Sequence, residues 1–182
     1  MPTCYLPNNA IFIHVPKTGG STVFNILRLL NMKGDYCVPK EPHPTLDKLD
    51  PRAFKFAFVR HPWRWIISMW RYLTLKKRAR GLNFGDYLDY YYQEGKPMIT
   101  PLVYSMIGPP GARIHYVGRQ ENLINDLQTA LRLAGIPYEQ REFDKLAGIR
   151  SNVSARTPLT YRMDQEKMVM ELEKPLIDEF YR

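Results

Sequence analysis

The feature that most constrains this chain is a short apolar run, Ala10-Ile11-Phe12-Ile13-His14-Val15, that meets Pro16 and passes at once into Lys17-Thr18-Gly19-Gly20-Ser21-Thr22. The run is too short for the apolar region of a signal peptide and suits a buried strand over about 10–15. Gly19-Gly20 makes a tight turn, and the apolar spacing beyond it predicts a helix from Ser21 to about residue 32. Strand, glycine turn and helix in direct succession gather backbone N–H groups and the positive end of a helix dipole at one point, which suits an oxyanion. Lys17 adds a mobile cation. Ser21 and Thr22 add hydroxyl donors, and Ser21 is expected to cap the helix. The loop is not a Walker A motif, in which the lysine follows the last glycine and precedes a magnesium-binding hydroxyl. Here Lys17 stands before both glycines, and an ordinary capped strand-to-helix turn accounts for the loop equally well.

The rest of the chain repeats the pattern. Phe54-Lys55-Phe56-Ala57-Phe58-Val59 reads as a second core strand, and Pro62 sits where a helix through Leu75 should begin. Phe84, Tyr87, Leu88 and Tyr91 have helical spacing. A third strand is expected at Ala112-Arg113-Ile114-His115-Tyr116-Val117, then a helix from Glu121 to Leu133. A short helical turn near Leu46–Leu49 and a C-terminal helix from Asp164 to Tyr181, broken or kinked at Pro175, complete the reading. Strands alternating with helices imply one α/β domain, residues 1–182, with a parallel central sheet. In such sheets ligands bind beyond the carboxyl ends of the strands, where both 16–22 and 60–62 fall.

Composition narrows the setting. The 182 residues, 45% of them hydrophobic, suffice for one domain with a real core. No apolar run approaches the length of a membrane span, and the N-terminus does not resemble a signal peptide. Two cysteines, Cys4 and Cys37, are too few for a disulfide scaffold or a cysteine zinc site, so a reducing cytoplasm is the default expectation. The net charge of +8 favours anionic partners. Its densest cluster, Lys76-Lys77-Arg78-Ala79-Arg80, reads as a solvated helix end.

A second element gives the first loop its meaning. In Phe58-Val59-Arg60-His61-Pro62, Arg60 leaves a strand end as an always-charged fork suited to a phosphate. Ser68 lies about two turns into the following helix and can point back toward the same ligand. With these residues the chain resembles the PAPS-dependent sulfotransferases (PAPS is 3′-phosphoadenosine 5′-phosphosulfate), especially the carbohydrate-type branch. Val15-Pro16-Lys17-Thr18-Gly19-Gly20-Ser21-Thr22 is similar to that family's 5′-phosphosulfate loop, and Arg60 with Ser68 to its 3′-phosphate element. Tyr116-Val117-Gly118-Arg119-Gln120-Glu121-Asn122-Leu123 resembles a later strand-to-helix boundary of the family, and Ser151-Asn152-Val153-Ser154 a loop that closes over the nucleotide.

The resemblance implies a P-loop-like three-layer domain, with helices flanking a central parallel sheet, that moves a sulfuryl group from PAPS to an acceptor hydroxyl and leaves PAP (adenosine 3′,5′-bisphosphate). Pro16, Lys17, Thr18, Gly19, Gly20, Ser21, Thr22, Arg60 and Ser68 would bind the donor, with Lys17 stabilising the leaving phosphate. His43, between the two elements, resembles the family's catalytic histidine, and its reference pKa of about 6.5 suits a general base. A surface histidine in a proline-rich loop is the plainer account, and Glu41 is the reserve base. His14 reads as buried structure, His61 as a neighbour of Arg60, and His115 as a strand residue. No metal is required, no acidic metal site is seen, and no nucleic-acid partner is expected. A nucleotide-dependent phosphotransferase and a non-catalytic basic anion-binding protein remain the alternatives.

Overall fold

A computed structural model describes residues 3–30, 46–79, 81–148 and 159–182. In chain order its regular elements are β1 (Cys4–Leu6), β2 (Ala10–Ile13), α1 (Gly20–Leu29), β3 (Phe54–Val59), α2 (Pro62–Leu75), α3 (Phe84–Tyr92), α4 (Ile99–Ile107), β4 (Tyr116–Arg119), α5 (Leu123–Leu133), α6 (Gln140–Ala147), α7 (Met163–Leu172) and α8 (Lys174–Phe180). Among the described residues one four-stranded sheet has the order β1-β2-β3-β4, in which β2, β3 and β4 run parallel and β1 pairs antiparallel with β2. The expected α/β class with a mainly parallel central sheet is what the chain adopts. It divides into two compact units, Met1–Val59 with Val103–Asn152 and Arg60–Leu102 with Val153–Arg182.

The first unit contains the sheet. Asn8 and Asn9 both take left-handed backbone, φ 57° and 53°, and the Ala10 amide donates to the Pro7 carbonyl at 3.3 Å. Two successive left-handed residues give the turn whose twist suits a hairpin, and asparagine tolerates that conformation. The turn folds β1 onto β2, a strand not anticipated from the sequence. Phe12 of β2 stacks on Phe56 of β3 with ring centroids 5.4 Å apart and meets Phe58 edge-on at 5.8 Å. These rings pack with Val23, Ile26 and Leu27 of α1 and Leu127, Ala130 and Leu131 of α5. Alternation along β3 sends Lys55, Ala57 and Val59 to the opposite face, where they too are buried. Lys55 is only 1% exposed, and its ammonium donates to the Ala53 carbonyl at 3.2 Å.

Two expectations for this unit need correction. The third strand is β4 at Tyr116–Arg119, later than expected, because Ala112 and Ile114 donate into tight turns, to the carbonyls of Pro109 and Ala112. His115 stands just ahead of the strand, and its Nδ1 accepts the Lys55 amide at 3.0 Å. The cysteine reading also changes, since Cys4 is disulfide-bonded and the thiol expected in a reducing compartment is absent there.

In the second unit α2, α3 and α7 pack around aromatic side chains. Phe84 contacts Trp63, Trp70 and Tyr161 at centroid distances of 5.5, 5.4 and 5.9 Å. Pro62 opens α2 as expected, and Lys76, Lys77 and Arg78 beyond its end are exposed. The C-terminal helix breaks at Glu173, with Pro175 in the first turn of α8, where its missing N–H costs nothing. Glu173 is fully buried and accepts hydrogen bonds from the chain that opens α4. No helix among the described residues is long and apolar enough to cross a membrane.

Candidate functional site

β2 ends at Ile13, and His14 and Val15 continue buried into the loop. Pro16 and Lys17 are partly exposed, whereas Thr18 is buried and its hydroxyl donates to the Val15 carbonyl at 2.7 Å. Lys17 and Gly19 are both left-handed, φ 66° and 88°, so the backbone reverses on either side of Thr18. A lysine in that conformation is strained, and such strain gathers at functional loops. Gly19, not Ser21, is the N-cap of α1, and the helix begins at Gly20. The capping role expected of Ser21 is therefore replaced. Ser21 and Thr22 stand in the first turn, and the amides of Thr22 and Val23 donate to the Gly19 carbonyl. A glycine cap has no side-chain acceptor, and the first turn of α1 carries no carboxylate. The positive end of the helix dipole thus has no anionic side chain of its own there, as an anion-binding turn requires.

The loop's two glycines are needed for different reasons. Gly19 has the left-handed φ, and a Cβ on it would stand 2.6 Å from Leu123 Cδ2. Gly20 is helical, a conformation open to any residue, but a Cβ there would stand 1.9 Å from His14 Cδ2 and 2.2 Å from its Nε2. Leu123 belongs to the stretch expected to mark a strand-to-helix boundary, and that boundary is present as β4, a short 3-10 turn and α5. Asp126 fastens it, accepting the Arg119 amide at 2.6 Å and the Asn122 side-chain amide at 2.8 Å. Neither His14 nor Leu123 was legible as a loop support. The only signal was the doubled glycine, which does not say what lies against it.

The second element opens the other unit. Arg60 follows β3 directly and is partly buried; His61 is the N-cap of α2 and meets Tyr181 edge-on at 5.2 Å. Ser68 lies on α2 two turns in and is buried, 8% exposed. The residues 16–22 thus share one loop, and Arg60 and Ser68 share one strand-to-helix junction. His43, Glu41 and the Ser151–Ser154 stretch lie outside the described residues.

The sequence matches the model of the sulfotransferase family over residues 7–182. No curated protein and no solved structure matches it. The match runs from the hairpin turn to the last residue and takes in both strand-to-helix junctions, so the chain belongs to the sulfotransferase family.

Proposed function

We propose that the chain, as one sulfotransferase domain over residues 1–182, moves the sulfuryl group of PAPS to an acceptor hydroxyl, carbohydrate being the favoured class. The observation that carries this reading is the turn from β2 to α1. A strained, left-handed Lys17 and a left-handed Gly19 precede a helix whose start has no side-chain cap and no first-turn carboxylate. Such a turn fits a dianionic group, and family membership supplies the reaction class.

In the reaction the acceptor oxygen forms a bond to sulfur as the bond from sulfur to the bridging phosphate oxygen breaks. The electron pair leaves on PAP, and the acceptor proton passes to His43, or to Glu41 in its place. Lys17 and the loop amides stabilise the charge that grows on the departing phosphate. Arg60 and Ser68 are assigned to the 3′-phosphate, the group that separates PAPS from ordinary adenine nucleotides. The disulfide at Cys4 favours an oxidising compartment over the cytoplasm expected from the cysteine count.

Thermal stabilisation by PAP, compared with ADP and ATP-Mg²⁺, tests the donor. A PAP-selective rise in melting temperature that Arg60→Ala abolishes is expected. A larger rise with ATP-Mg²⁺ would instead identify a phosphotransferase. His43→Ala should leave the PAP shift intact and abolish transfer; retained turnover would remove His43 as the base.

A further inference from the structure

We propose that His14 is a positioning residue for the donor loop: its ring sets the height of the first turn of α1 above the end of β2. The inference rests on the reading that this loop holds PAPS. The ring is fixed from two sides, edge-on to Phe12 at 6.3 Å and to Phe24 at 6.2 Å. Phe12 is buried in the sheet core, and Phe24 on α1 packs against that core, so the imidazole is wedged where strand and helix meet. Only 8% of it is exposed. Its Cδ2–Nε2 edge takes the place that any side chain at position 20 would need.

Gly20 is the first residue of α1, and its backbone conformation does not require glycine. The ring does. On the other side Gly19 is bounded by Leu123 of α5, and Thr18 is tied back to Val15. The segment from Thr18 to Gly20 is therefore held between an imidazole and a leucine, with little room to tilt. Loss of the ring opens space beneath the turn and lets the anion-binding amides move, and displacements near 1 Å can cost about a hundredfold in rate. His14 touches the loop and not the transferring group, so its effect falls on donor binding.

The experiment is a two-residue cycle of His14→Ala, Gly20→Ala and the double variant, read by melting temperature, by PAP affinity, and by KM for PAPS against KM for the acceptor. His14→Ala should weaken PAP and raise KM for PAPS by at least about tenfold, leaving KM for the acceptor unchanged. Leu131→Ala, a truncation in the same core, should lower the melting temperature comparably without that donor-specific loss. Gly20→Ala should nearly abolish PAP binding, and adding His14→Ala to it should restore both stability and PAP affinity, because the cavity receives the new methyl. Additive losses in the cycle, or equal rises in both KM values, would overturn the proposal. If wild-type protein shows no response to PAP, the donor reading fails and the positioning role with it. The melting-temperature cycle would still report separately on the contact between ring and glycine.

Discussion

Glu173 and Thr100, 73 residues apart in sequence, share two hydrogen bonds on one carboxylate oxygen: Oε2 accepts the Thr100 amide at 2.8 Å and its hydroxyl at 2.7 Å. Oε1 accepts the amides of Met98 and Ile99 at 2.7 and 2.8 Å and the Tyr92 hydroxyl at 2.9 Å. The amides are those that α4 cannot satisfy within itself, and a negative charge suits that end of a helix. The cap of α4 is thus supplied by the junction of α7 and α8.

Removing that carboxylate should be costly. Glu173→Ala strands three backbone donors, two of them on buried residues, and should destabilise the protein by about 3–5 kcal/mol in chemical denaturation. Glu173→Gln keeps the shape but loses the charge and turns one acceptor into a donor, so an intermediate loss is expected. A loss under about 1 kcal/mol for the alanine variant would show that the clasp does not hold α4.

Alkali should attack the same clasp. Burial, and after it the charge and hydrogen bond of Glu173, raise the Tyr92 hydroxyl well above the usual tyrosine range; burial and then Tyr91 raise Tyr87. The folded state keeps protons that the unfolded chain releases near pH 10, so this stability is complete below about pH 10 and is lost as pH rises beyond it toward the folded values. The melting temperature should fall above about pH 10, less steeply in Tyr92→Phe. Tyrosinate absorbance from Tyr87 and Tyr92 should appear only with unfolding.

At Lys17 stability and activity should part. Lys17→Gly and Lys17→Ala both delete the ammonium, and each should reduce transfer by about 10²–10³ if it serves the leaving phosphate. Only glycine adopts φ 66° without strain, so the glycine variant should be more stable than the alanine variant by about 1 kcal/mol. Equal denaturation midpoints would contradict a strained backbone at this position.

Lys55 should be replaceable. Its ammonium is buried in the central strand with a single carbonyl acceptor at 3.2 Å, and desolvating a charge is expensive. Lys55→Met, similar in length and volume, should leave stability within about 1 kcal/mol of wild type or raise it. Lys55→Glu, which places a shorter charge of opposite sign against the same carbonyl, should prevent folding, as judged by circular dichroism.

The elements legible in the sequence are those whose causes are local. β2, β3 and α2 carry their own apolar patterns and a proline start, and the donor loop shows its glycines. α4 does not show in its own residues because its cap comes from Glu173, far along the chain, while Pro101 in its first turn reads as a breaker. β4 begins later than its apolar pattern suggests because partners and not propensity choose its register. Gly118, a poor strand former, pairs with Phe58, and Arg119 pairs with Val59; a Cβ on Gly118 would stand 2.7 Å from the Phe58 ring. β1 is not legible because three residues are too few to show a period, and its hairpin depends on two left-handed asparagines. α6 has little apolar content beyond Phe143 and Leu146 to reveal it.

The disulfide at Cys4 has a practical consequence for preparing this enzyme. It sits on β1, the edge of the sheet whose next strand runs straight into the donor loop. Protein expressed in a reducing bacterial cytosol and purified with thiol reagents would lack that link. A negative result for PAP on such material would describe the preparation, so oxidative folding and a titration showing no free thiol belong before the first assay.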